Sequence, residues 1–171
     1  SSTFGKEIAK ELLLSGHNLL VSFFKKNDKN DFSELIKLSK NTKNNLVIKR
    51  LDIRDELGVK KTIKSGRIKF NNLVYSIGTR IEFKEISRTY RADLEDQFYM
   101  HVTGLLMIIN NLIQEKHPIK SILVIGSSCL FGTPPSRLSS YTIGKYAQFG
   151  LMKCLTSELA IKGIRVNMIS P

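Results

Sequence analysis

Five short apolar runs separated by stretches of helical periodicity constrain this chain more than any other feature of its sequence. The runs are residues 19–24, 46–48, 72–76, 121–125 and 164–169. Helical spacing is read at 6–13, 32–39, 56–64, 94–114 and 141–161. A strand that is apolar throughout must be covered on both faces, which specifies a parallel sheet with crossover helices. Right-handed crossovers then predict a doubly wound, Rossmann-like α/β fold with ligands beyond the carboxyl ends of the strands. No linker, repeat or low-complexity segment interrupts residues 1–171, so one dinucleotide-binding and catalytic domain is expected.

Tyr141 and Lys145, four residues apart on one helix, lie on the same face about one turn apart. A phenol near pKa 10 transfers protons poorly at neutral pH, and a neighbouring ammonium brings it towards the working range. A Tyr-x-x-x-Lys pair also occurs by chance, as an exposed tyrosine beside a solvated lysine. Ser128 changes the balance. It follows the strand 121–125 at the sheet edge where ligands bind, and it precedes Tyr141 by 13 residues. Its hydroxyl is placed to hold a carbonyl oxygen beside the phenol, although serines after strands also serve turns.

These residues resemble those of the short-chain dehydrogenases/reductases, and the resemblance is collinear from Ser1 to Pro171. It is most specific in Gly126-Ser-Ser, Tyr141-Thr-Ile-Gly-Lys145, Leu155-Thr-Ser-Glu158-Leu-Ala and Gly163-Ile-Arg-Val-Asn-Met-Ile-Ser-Pro171. The resemblance implies hydride transfer between NAD(H) or NADP(H) and a carbonyl or alcohol. It assigns carbonyl positioning to Ser128, the general acid to Tyr141, and ribose binding with depression of the tyrosine pKa to Lys145.

The same resemblance extends to cofactor contacts. Ser2-Thr3-Phe4-Gly5 is similar to the second half of a Gly-rich phosphate loop, with Thr3 where a glycine is usual. Asp52 and Ile53 follow a strand where the family places an acid and an apolar residue around the adenine. Lys25 and Lys26 stand where NAD-specific members carry an acid. Cations there suit a 2′-phosphate, so NADP(H) is the expected cofactor and NAD(H) the alternative. Asn-Asn-Ala-Gly of the family becomes Tyr75-Ser76-Ile77-Gly78, with Ser76 and Gly78 expected at the cofactor. Pro171 is also expected there. His101 aligns with the asparagine of a proton relay and is a candidate to carry protons. The family's first strand and first glycine precede Ser1, and its substrate loop follows Pro171. A longer protein is therefore expected.

The net charge is +12, and residues 25–69 hold 14 Lys or Arg against 6 Asp or Glu. Eight of the twelve charges thus lie in one stretch. No aromatic interleaving or nucleic-acid motif accompanies them, which argues against nucleic acid; an acidic cofactor or carrier fits. No apolar run reaches the roughly 20 residues of a membrane span. Two separated cysteines predict neither a disulfide framework nor a metal site, and a reduced, cytoplasmic setting is expected. The expected activity is reduction of a carbonyl, with a 3-oxoacyl thioester as substrate and an acidic acyl carrier protein as partner. A sugar or small-alcohol dehydrogenase is the alternative within enzymes, and a dinucleotide-binding regulator the alternative outside them. Small residues in the helices (Gly104, Gly144, Ala147, Gly150) permit close packing, and the resemblance implies a homodimer or homotetramer.

Overall fold

The computed structural model describes residues 3–24, 32–64, 68–78 and 81–171, with Thr3 described by its backbone alone. The described chain forms a Rossmann-like α/β fold of parallel sheets and helices, divided into two compact units at Val59 and Lys60.

In the first unit, helix α1 (Thr3–Leu14), strand β1 (Leu19–Phe23), helix α2 (Ser33–Thr42) and strand β2 (Leu46–Arg50) follow in order. β1 and β2 pair in parallel, with Val21 opposite Ile48. Ala9, Leu13, Phe23, Phe32 and Leu35 are buried together, and Leu19, Leu46 and Ile48 pack against them. The apolar spacing read from the sequence is therefore the spacing of this core. α1 ends where Gly16 takes a φ of 85°, letting His17 N–H donate to the Leu12 carbonyl at 3.0 Å. Helix α3 (Glu56–Lys64) begins in this unit and ends in the next.

The second unit contains β3 (Asn72–Tyr75), α4 (Arg91–Phe98), α5 (Gly104–Gln114), β4 (Ser121–Ile125), α6 (Ser139–Ala160) and β5 (Arg165–Ile169). Its strands run in parallel in the order β3-β4-β5. Ile122 and Val124 of the central strand are buried, as are Leu105 and Ile109 of α5 and Met152 and Leu155 of α6.

The sequence predicts one continuous helix over 94–114. The structure instead starts the helix at Arg91 and interrupts it with a π-helical turn, Tyr99–Thr103. Such insertions widen one turn of an α-helix and cluster at functional sites. This one carries His101.

Candidate active site

The carboxyl end of β4 is drawn tightly to that of β5. Gly126 N–H donates to the Ile169 carbonyl at 2.7 Å, and Ser128 N–H to the Pro171 carbonyl at 2.8 Å. A Cβ at Gly126 would lie 2.5 Å from Ser170 Oγ and 2.8 Å from Met168 Sδ, so those two side chains would have to shift. Ser127 remains extended (φ −161°, ψ 148°), and residues 128–130 then form a 3-10 turn. The Ser127 hydroxyl accepts from Cys129 N–H at 3.3 Å, capping that turn.

The start of α6 is fixed by the segment before α4. Lys84 N–H donates to the Arg137 carbonyl at 2.9 Å, and the Thr89 and Ser139 hydroxyls bond at 3.0 Å. Arg137 takes a left-handed φ of 68°, turning the chain into the helix. Further along, the Tyr146 hydroxyl donates to the Leu130 carbonyl at 3.3 Å, tying α6 to the 3-10 turn. Tyr141, one turn upstream of Lys145, lies in the first turn of the helix so anchored.

Burial, the larger influence, pushes the Tyr141 phenol above its ordinary value, while interaction with the Ser127 side chain acts in the opposite direction. The phenol is thus protonated at neutral pH. Lys145 is buried, and that burial lowers its ammonium to about 8. Nζ donates to the Ile125 carbonyl at 2.9 Å and to Gln148 Oε1 at 3.1 Å, and lies 5.8 Å from the centre of the Tyr141 ring. The sequence expects Lys145 to depress the tyrosine pKa. In the structure the Ser127 side chain lowers the phenol, and Lys145 Nζ donates to the Ile125 carbonyl and Gln148 Oε1.

The π-helical turn closes the other side. His101 is completely buried, and its Nε2 faces Gln97 Oε1 at 3.1 Å. That acceptor assigns the proton to Nε2 and leaves Nδ1 as an acceptor without a partner. Burial first, and then the charge of Lys145, lower the imidazole to about 3. Gly144 lets α6 approach this turn: a Cβ there would stand 2.9 Å from Gln97 Cβ and 3.1 Å from His101 Cδ2. Tyr75, at the end of β3, donates its hydroxyl to the Met100 carbonyl of the turn at 2.5 Å.

The second unit brings together Tyr141, Lys145 and His101, with Ser128 exposed on the neighbouring 3-10 turn. Ser76, Gly78 and Pro171 follow the ends of β3 and β5 in the same unit. Phe4 and Gly5, in the first turn of α1, and Asp52 and Ile53, just after β2, belong to the first unit. Asp52 Oδ1 accepts from Arg54 N–H at 2.9 Å, whereas Ile53 is buried. Ser2, Lys25 and Lys26 lie outside the described residues, as does the side chain of Thr3.

Two polar residues of this region, Gln97 and Gln148, carry no motif signal, and Ser127 lies within Gly126-Ser-Ser without being singled out there. The 13-residue spacing selects Ser128, and only the extended backbone at 127 reveals its neighbour's position. Gln97 and Gln148 are buried polar residues on helices, visible only once the faces that meet are known.

A parallel α/β fold with a protonated phenol, a buried ammonium and a serine hydroxyl at the carboxyl end of a strand is the architecture of a dinucleotide-dependent oxidoreductase. A family model for the short chain dehydrogenases matches residues 1–171. The uncharacterized oxidoreductase YmfI of Bacillus subtilis (strain 168) is 31% identical over 173 residues, covering 100% of this chain and 70% of that protein. Carveol dehydrogenase from Mycobacterium avium in complex with NAD superposes with a TM-score of 0.81 at 20% identity, covering 95% of this chain and 64% of that one. A short chain dehydrogenase from Burkholderia cenocepacia J2315 in complex with NADP gives 0.85 at 19% identity, covering 98% and 68%. The two structural likenesses establish the fold. The chain belongs to the short-chain dehydrogenase family, and it spans about two thirds of the length of these solved relatives.

Among the described residues, no helix is long and apolar enough to cross a membrane. Cys129 and Cys154 are free.

Proposed function

We propose that this chain carries the proton-transfer site of an NADP(H)-dependent carbonyl reductase. The observation that carries the reading is the Tyr141 phenol, held protonated by burial beside Ser127 and on the same helix face as Lys145. A protonated phenol is the form needed to deliver a proton to a carbonyl oxygen as that oxygen gains negative charge. A nicotinamide supplies the hydride when bound. The residues fit such a group: an ammonium has three N–H donors, two are used by Ile125 and Gln148, and the third is available for a ribose hydroxyl. A Cβ on Gly78 would meet no atom within 4 Å, so the backbone after β3 is open to close approach.

In this mechanism the serine hydroxyl holds the carbonyl oxygen against the phenol, Tyr141 donates the proton, and Lys145 fixes the ribose. Ser128 is the candidate from spacing and Ser127 the candidate from geometry. His101 enters as a neutral imidazole, and any relay through it must exchange tautomers rather than store a proton. The remaining cofactor contacts of this reading are Ser2, Thr3, Phe4, Gly5, Lys25, Lys26, Asp52, Ile53, Ser76, Gly78 and Pro171. The lysine pair favours NADP(H) over NAD(H) through the 2′-phosphate. A 3-oxoacyl thioester is the proposed substrate, delivered by an acidic carrier attracted to the +12 surface.

The partner of a second kind is another copy of the chain. Leu94, Phe98, Tyr99 and Ile143 line an apolar groove between α4, the π-helical turn and α6, with Phe98 and Ile143 each half exposed. A homodimer or homotetramer through this face removes them from water, and light scattering of the purified protein measures it.

The deciding experiment replaces Tyr141 with Phe. The variant retains NADPH binding, read by cofactor fluorescence, and loses acetoacetyl-thioester-dependent NADPH oxidation by about 10²-fold or more. Unchanged turnover would overturn the mechanism. Tight NADPH binding by the wild type without turnover on any carbonyl favours the regulator instead.

A further inference from the structure

Lys145 is a buried cation that, among the described residues, has no carboxylate beside it. Its head is held by two neutral oxygens, the Ile125 carbonyl at 2.9 Å and Gln148 Oε1 at 3.1 Å. The groups facing it are Tyr141 on α6 itself, Cys129 from the 3-10 turn and His101 from the π-helical turn. Gln148 is itself completely buried, seven residues beyond Tyr141 and three beyond Lys145, so all three side chains share one face of the helix.

The amide of Gln148 is held in an unequal way. Its oxygen is used by Lys145, and its Nε2 has no partner. Turning the amide over would direct an NH₂ donor at an ammonium, which has donors only. The charge on Lys145 therefore dictates the orientation, and a buried donor is left unsatisfied to serve it.

We propose that Gln148 is a positioning residue that acts through Lys145: its amide oxygen is the second acceptor that keeps the ammonium charged and fixed at the carboxyl end of β4. The proposal rests on the reading of Tyr141 and Lys145 given above and adds a member to that site. With an apolar side chain at 148 the ammonium retains one protein acceptor in a buried setting. Its proton is then held less tightly, and Nζ is free to leave the position from which it reaches a ribose. The direction agrees with the state of Lys145 in the intact site, already lowered to about 8 by burial.

The test reads Lys145 directly, without cofactor or substrate. Protein labelled with ¹⁵N and ¹³C in lysine is titrated by NMR, and the Lys145 resonance is identified by its loss in Lys145→Met. In Gln148→Met the midpoint falls by about one pH unit or more, a tenfold loss of proton affinity. In Gln148→Glu the added carboxylate raises it above wild type. A folded Gln148→Met with the wild-type midpoint overturns the proposal. If Gln148→Met does not fold, an unshifted midpoint in Gln148→Glu overturns it equally. The alkaline weakening of NADPH binding, followed by cofactor fluorescence, begins about one pH unit earlier in Gln148→Met, a change that loss of packing alone does not produce. Failure of the underlying reading is seen separately, as undiminished NADPH oxidation by Tyr141→Phe.

Discussion

The imidazole of His101 meets the phenol of Tyr141 edge to face, with ring centroids 5.9 Å apart and planes at 80°. This contact joins the π-helical turn to α6 and covers one side of the Tyr141 ring. It also leaves His101 no space for charge: the ring is buried, near the Lys145 ammonium, and lowered to about 3.

Acid is therefore expected to destabilise the protein through His101. The unfolded chain binds this proton below about pH 6.5 and the folded chain only near pH 3, so the stability is present above 6.5 and is lost as pH falls through that window. Across the window each pH unit removes up to about 1.4 kcal/mol. Urea unfolding at a series of pH values measures the slope, and His101→Asn flattens it. Parallel slopes for the two proteins would contradict the assignment.

Ser127 and Ser128 are separated by a pair of alanine variants. Ser127 interacts with the Tyr141 phenol and Ser128 is exposed. Ser127→Ala is expected to lower kcat by about 10²-fold, the scale for losing one donor to a developing oxyanion, and to exceed the effect of Ser128→Ala. The reverse order in steady-state NADPH oxidation would return the role to Ser128.

At Gly144, the nearest atoms to an added Cβ are Gln97 Cβ at 2.9 Å and His101 Cδ2 at 3.1 Å, with the Gln97 backbone oxygen at 3.4 Å. Gly144→Ala must push α6 away from α4 and the π-helical turn. A destabilisation of about 1–3 kcal/mol is expected, read as a fall of several degrees in Tm by circular dichroism. A variant as stable as wild type would show that these helices separate easily.

Cofactor choice is tested at Lys25 and Lys26. Replacing both with Ala removes the cations proposed to meet a 2′-phosphate. The Kd for NADPH then rises at least about tenfold, and that for NADH changes little. Equal weakening of both, in fluorescence titrations at fixed ionic strength, would assign the pair to general surface charge.

Strands β1, β2, β4 and β5 lie within a residue or two of the apolar runs that predict them, because a run such as Ile122-Leu123-Val124 has few other ways to leave water. Tyr141 and Lys145 are equally legible, since a spacing of four on a helix fixes their common face. What the sequence by itself determined was the order of elements, the periodicity of each and the common face of Tyr141 and Lys145. Tertiary structure decided the rest. The π-helical turn at Tyr99–Thr103 meets the Tyr75 hydroxyl and the Gly144 surface, which come from distant parts of the chain. Whether Ser127 or Ser128 faces Tyr141 follows from the pairing of residues 126–128 with 169–171. The roles of Gln97 and Gln148 follow from burial that brings them to His101 and Lys145. Periodicity is a property of one segment, whereas these polar contacts exist only where two segments exclude water between them.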